Sequence, residues 1–115
     1  MKKILIIDND KFILEFLMDL FKTVGHQVLN AENAEDGFEI FRKNTDTDID
    51  VVLTDDAMPD EGDGLELVQQ IRQLGFTGKI VMMSGTASEE MAIMAGADQF
   101  LPKPFPVQKI LSAIQ

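Results

Sequence analysis

Cysteine is absent from this 115-residue sequence, and histidine occurs once, at position 26. Disulfides, thiol nucleophiles and thiolate zinc sites are therefore excluded, and a single imidazole cannot build a histidine metal centre or a Cys-His pair. Basic residues are scarce: 10 Lys and Arg stand against 20 Asp and Glu, and the net charge of -10 opposes contact with a polyanion. No direct nucleic-acid binding is expected. Long apolar runs are also missing. Lys2-Lys3 is followed by only four apolar residues before Asp8, so neither a membrane span nor a signal peptide is expected, and the reading is of a cytoplasmic protein. At 45% hydrophobic residues the composition is globular, and the length suits one packed domain over 1–115 that needs no metal or disulfide merely to fold. Carboxylates, hydroxyls and a few amines remain for chemistry.

What is present alternates. Ile4-Leu5-Ile6-Ile7 is an apolar run without polar alternation, as in a parallel strand covered on both faces. Asp10 then suits the N-cap of a helix over 11–24, in which Phe12, Ile13, Phe16, Leu17, Leu20, Phe21 and Val24 recur at helical spacing before Gly25. Further strands are expected at Gln27–Asn30, Ile49–Thr54, Lys79–Met83 and Gln99–Leu101. Further helices are expected at Ala34–Lys43, weakened by Gly37, and at Leu65–Leu74, 89–95 (capped by Ser88) and Pro106–Ile114. Five strands alternating with five helices specify an α/β fold, a doubly wound parallel sheet with helices on both faces.

In such a sheet the residues just beyond the strands' carboxyl ends converge on one edge. Here they are Asp8-Asn9-Asp10, Asp55-Asp56, Ser84-Gly85 and Lys103. Two carboxylates at ~4 Å repel by about 4 kcal/mol at an effective dielectric near 20, so the cluster calls for a cation. Oxygen donors without His or Cys select a hard ion, Mg²⁺ above all. A carboxylate of pKa about 4 is ionised at pH 7 and can attack phosphorus without a general base, provided that a cation offsets its repulsion from the phosphoryl oxygens. Singly, each residue has a plainer reading: Asp10 a helix cap, Ser84 a turn residue, Lys103 a solvated amine, Asp56 and Asp60-Glu61 exposed loop charge. Complementary groups at four strand ends outweigh those readings together.

Over its whole length the chain resembles the receiver domains of two-component response regulators. Ile4–Asp10 resembles the family's first strand and acidic pair, Asp55-Asp56-Ala57-Met58-Pro59 its phosphoacceptor segment, and Gly64-Leu65-Glu66-Leu67 the start of its third helix. Ser84 falls on the Thr/Ser position, Ala95-Gly96-Ala97-Asp98 on the turn before strand five, and Lys103-Pro104-Phe105 on the Lys-Pro-Phe signature. The resemblance implies a five-stranded, flavodoxin-like (βα)5 fold in which Asp55 accepts a phosphoryl group from a histidine kinase or histidine phosphotransfer protein. It further implies that Asp8, Asn9, Asp55 and the Ala57 backbone carbonyl hold Mg²⁺, that Lys103 contacts the phosphoryl oxygens, and that Ser84 and Phe100 form the switch. A cis bond is implied at Lys103-Pro104.

Asn9 stands at the second acidic position, so metal affinity should be lower than with a carboxylate there. The loop from Pro59 to Gly64 looks one residue long, and the short interval from Ser84 to Lys103 implies an abbreviated fourth helix. Met91-Ala92-Ile93-Met94-Ala95 is apolar around more of the helix than one core-facing stripe needs. A partner or self-association face is therefore expected around Met91, Met94, Phe100 and Lys109, serving a downstream protein, an output domain of the same chain, or a second copy. Two alternatives stay open: a pseudo-receiver that binds without cycling phosphate because of Asn9, and a haloacid-dehalogenase-like phosphohydrolase whose nucleophile is Asp8.

Overall fold

Residues 1–44, 49–56, 64–85 and 89–115 are described by a computed structural model. The apolar runs become β1 (Lys3–Ile7), β2 (Gln27–Ala31), β3 (Val51–Asp55), β4 (Lys79–Ser84) and β5 (Gln99–Pro102). They alternate with α1 (Lys11–Thr23), α2 (Ala34–Lys43), α3 (Gly64–Gln73), α4 (Glu89–Ala95) and α5 (Val107–Ala113). The strands form one parallel sheet in the order β2-β1-β3-β4-β5. The order reverses at β1 and β3, the place where doubly wound sheets open a crevice beyond their strand ends.

Side-chain alternation along the central strands separates two cores. Leu5, Ile7, Val52, Ile80 and Met82 pack against α2, α3 and α4. Ile4, Ile6, Val51, Leu53, Val81 and Met83 pack against α1 and α5. Local signals set the helix ends. Asp10 caps α1, its carboxylate accepting the N–H groups of Phe12 (2.9 Å) and Ile13 (3.3 Å). Gly25, at φ +96°, ends it, with the N–H of His26 donating to the Phe21 carbonyl and that of Gly25 to the Lys22 carbonyl. α4 has the seven-residue length expected of it.

One expectation needs correction and another gains a reason. The inward face of α1 is Leu14, Leu17 and Phe21, whereas Phe12 is 87% exposed and Phe16 and Val24 are half exposed. At about 100° per residue, Phe12 lies some 200° around the helix from Leu14, so the apolar set of α1 is wider than its buried stripe. Gly37, expected only to weaken α2, has a packing role: a Cβ there would stand 2.8 Å from Ile7 of β1. Its lack of a side chain lets α2 lie directly on the sheet.

An arginine staple sets the position of the α4–β5 turn. Arg72 of α3 donates from Nη1 to the carbonyls of Phe76 and Gly78 (2.9 Å each), from Nε to that of Gly96 (2.8 Å) and from Nη2 to Asp98 (2.8 Å). The same Asp98 oxygen accepts the Ile80 N–H at 2.8 Å, joining the turn to β4.

Candidate functional site

The parallel register carries β1, β3, β4 and β5 to one edge, where Asp8, Asp55, Ser84 and Lys103 meet. Asp8 follows β1 and is wholly buried, its N–H donating to the Ala31 carbonyl at 3.1 Å in continuation of the β1–β2 ladder. One carboxylate oxygen, Oδ1, accepts the Asp10 N–H at 2.8 Å, and the other, Oδ2, lies 3.0 Å from Lys103 Nζ. Asp55 ends β3 and is 6% exposed. Its Oδ1 accepts the Asp56 N–H at 2.8 Å, and its Oδ2 lies 3.4 Å from the same Nζ. Lys103 therefore bridges two buried carboxylates.

Lys103 is delivered by its own backbone. Its N–H donates to the carbonyl of the buried Ser84 at 2.7 Å, and the bond to Pro104 is cis, as the resemblance implied. Burial pulls the ammonium's pKa down, but the hydrogen bond and charge of Asp8 and the charge of Asp55 outweigh it and hold the pKa above its ordinary value. The amine stays cationic at neutral pH. Its attraction to both acids compensates the repulsion between them.

The remaining expected residues fall around this triad. Asn9 is exposed, next to the buried Asp8. Asp56, expected as exposed loop charge, is partly buried, and its carbonyl accepts the Gly64 N–H at 3.0 Å. Phe100 on β5 is part-buried and packs on the core beneath α2, α3 and α4. Beside it α4 exposes Met91 (51%) and Met94 (79%), and Lys109 is exposed on α5 across the edge strand. The Ala57 carbonyl, the Ser88 cap and the long loop from Pro59, including Gly62, lie outside the described residues.

Thr54 was expected only as the last residue of a buried strand, and Gly64 only as the start of the third helix. Thr54 is fully buried, and its hydroxyl donates to the Asp55 carbonyl at 2.9 Å. A Cβ on Gly64 would overlap that same carbonyl oxygen. A hydroxyl following the aliphatic run Val51-Val52-Leu53 is the one sequence signal that could have drawn attention to position 54.

The donor set suits a hard cation. Asp8 and Asp55 offer carboxylate oxygens at one edge, and the exposed Asn9 follows Asp8 in the chain. Among the described residues no group of three or more His, Cys, Asp or Glu forms a ready metal cage. Asp8 and Asp55 supply oxygen donors of the kind that a hard cation such as Mg²⁺ takes.

Comparison with known proteins gives one consistent result. The family model described as "Response regulator receiver domain" matches residues 4–115. The chain is 35% identical over 115 residues to the chemotaxis protein CheY of Bacillus subtilis, covering 97% of this chain and 93% of that protein. It is 32% identical to the DNA-binding transcriptional regulator NtrC of Azospirillum brasilense, where it covers 97% of this chain but spans only 23% of the relative. Among solved structures, a response regulator receiver domain protein from Clostridium thermocellum superposes with a TM-score of 0.88 at 32% identity, over 99% of this chain and 91% of that one.

Proposed function

This chain belongs to the response regulator receiver family, and on that premise we propose that Asp55 accepts a phosphoryl group from the phosphohistidine of a histidine kinase or histidine phosphotransfer protein. The observation carrying this reading is the placement of Asp55 at the end of β3, one oxygen held by a backbone N–H and the other 3.4 Å from Lys103. Asp55 is the nucleophile: an oxygen–phosphorus bond forms, the phosphorus–nitrogen bond breaks, and the imidazole leaves with the electron pair and takes up a proton. Lys103 then pairs with phosphoryl oxygens rather than with Asp55 alone, offsetting the charge that otherwise repels a dianionic donor. Asp8, Asn9 and Asp55 would hold Mg²⁺, which when bound would supply further charge neutralisation. The chain acts as one phosphoacceptor domain that turns over only its own modification. No helix among the described residues is long and apolar enough to cross a membrane. A cytoplasmic location, where a histidine kinase would donate its phosphoryl group, is part of the same proposal.

The signal leaves through Ser84 and Phe100. The buried hydroxyl at the end of β4 turns toward the new phosphate, and Phe100 follows it, reshaping the surface of Met91, Met94, Phe100 and Lys109. A downstream protein, an output domain of the same polypeptide or a second copy reads that surface. Moving such an equilibrium from 1:99 to 99:1 takes about 5.5 kcal/mol of differential stabilisation.

The phosphohydrolase alternative is disfavoured by Asp10: the second acid of that motif is spent as the cap of α1, accepting the N–H groups of Phe12 and Ile13. Asn9 favours the pseudo-receiver as the second reading. Intact mass after exposure to a small phosphodonor and Mg²⁺ decides among the three. The proposal expects a phosphoryl adduct lost in Asp55→Asn. Loss in Asp8→Asn with retention in Asp55→Asn transfers the assignment to the phosphohydrolase, and no adduct in the unmodified protein supports the pseudo-receiver.

A further inference from the structure

We propose that Thr54 is a positioning residue for phosphoryl transfer, setting the orientation of the Asp55 carboxylate through the peptide unit that joins Asp55 to Asp56. The proposal rests on the assignment of Asp55 as acceptor. Strand alternation turns Thr54 to the α3 side of the sheet, with Val52, and Asp55 to the opposite side, with Leu53. Thr54 therefore acts on the acceptor through the main chain. Its hydroxyl donates to the Asp55 carbonyl at 2.9 Å, and Gly64 packs against the same oxygen so closely that no Cβ fits between them.

That carbonyl and the Asp56 N–H are the two ends of one planar peptide unit, so holding the C=O fixes the direction of the N–H. The N–H in turn donates to Asp55 Oδ1 at 2.8 Å, which leaves Oδ2 turned to Lys103. A hydroxyl on the far face of the sheet thus sets the plane in which the Asp55 carboxylate presents its second oxygen to the amine. Val51, Val52 and Leu53 precede it in β3. A fourth aliphatic residue would bury equally well but would lack the hydroxyl donor to that carbonyl. Errors of about 1 Å in a reacting group can cost roughly a hundredfold in rate, so a modest rotation is enough to matter.

The test compares Thr54→Val, which keeps the shape without the hydroxyl, with Thr54→Ser, which keeps the hydroxyl without the methyl. Initial rates of phosphorylation by a small phosphodonor with Mg²⁺ are read by intact mass, and the Asp56 amide resonance is followed by NMR in the metal-free protein. Expected are a rate about tenfold lower in Thr54→Val with a shifted Asp56 amide, and recovery to within about twofold of the unmodified protein in Thr54→Ser with the resonance restored. Unchanged rate and amide in Thr54→Val overturn the proposal. Equal slowing in both variants also overturns it, because the methyl's packing then matters rather than the hydroxyl. A Thr54→Val protein that does not fold leaves the Thr54→Ser comparison to decide: native rate and amide support the hydroxyl's role, and a tenfold loss refutes it. If the unmodified protein accepts no phosphoryl group, or accepts one that survives Asp55→Asn, the acceptor assignment itself fails.

Discussion

Replacing Lys103 by Met, which keeps most of the stem and removes the charge, isolates the electrostatics that hold the metal-free site together. Two buried carboxylates then face each other without their shared cation. Their Oδ2 atoms lie within about 6.4 Å, the legs through Nζ being 3.0 and 3.4 Å. At an effective dielectric near 20, charges at that separation repel by about 2.6 kcal/mol, and removing one partner of a buried pair typically costs about 3–5 kcal/mol. Because the Lys103 side chain keeps 19% of its exposure, the lower end applies, about 3 kcal/mol. With an unfolding entropy of about 2.1 cal/mol/K per residue, that is a fall in Tm of about 12 °C in a chain of this length. The sharper measurement is the cycle with Asp55→Asn, run with a chelator present. Asp55→Asn should stabilise the Lys103→Met variant more than the unmodified protein by about 2 kcal/mol, roughly 8 °C, since only in that variant is Asp55 left without its attraction to the ammonium. Because the Lys103 pKa is raised on folding, its contribution is complete below pH ~10.4 and fades as pH rises through the higher folded value. The Lys103→Met variant should lack that alkaline loss. A coupling below about 0.5 kcal/mol, within the error of additivity, would refute the three-charge account.

Asn9→Asp should tighten Mg²⁺ binding and lower stability without metal, because a second acid beside Asp8 adds repulsion; melting curves across a Mg²⁺ titration check both signs, with about 2.7 kcal/mol of stabilisation expected at a hundredfold excess over Kd. His26 has its pKa lowered, first by burial and then by the α-amino and Lys2 charges, and its Nδ1 accepts the Lys2 N–H at 3.0 Å. Stability should therefore be full above pH ~6.5 and decline as pH falls below it toward the lowered folded value, a component of the pH 7.5 to 5.5 melting profile that disappears in His26→Asn. Phosphorylation should change amide hydrogen exchange across residues 89–101, covering α4 and β5; equal protection in both states would remove the support for Ser84 and Phe100 as a switch.

The sequence by itself determined the periodicities, and through them the order of elements. Uninterrupted aliphatic runs demand strands covered on both faces, and the intervening 3.6-residue patterns supply the helices that cover them. Parallel pairing then leaves no choice about where the strand ends go. For that reason Asp8, Asp55, Ser84 and Lys103 could be assigned to one edge although 95 positions separate the first from the last. The cap at Asp10 and the seven residues of α4 were equally local matters. Only the tertiary structure decided which part of an over-wide apolar set is buried, since Phe12 and Leu14 are equally hydrophobic and differ only in what each faces. It also decided the roles of Gly37, Gly64, Thr54 and Arg72, which depend on a neighbouring backbone a few ångströms away. Such contacts join elements remote in sequence or turn on the direction of a single carbonyl, and neither leaves a period or a motif along the chain.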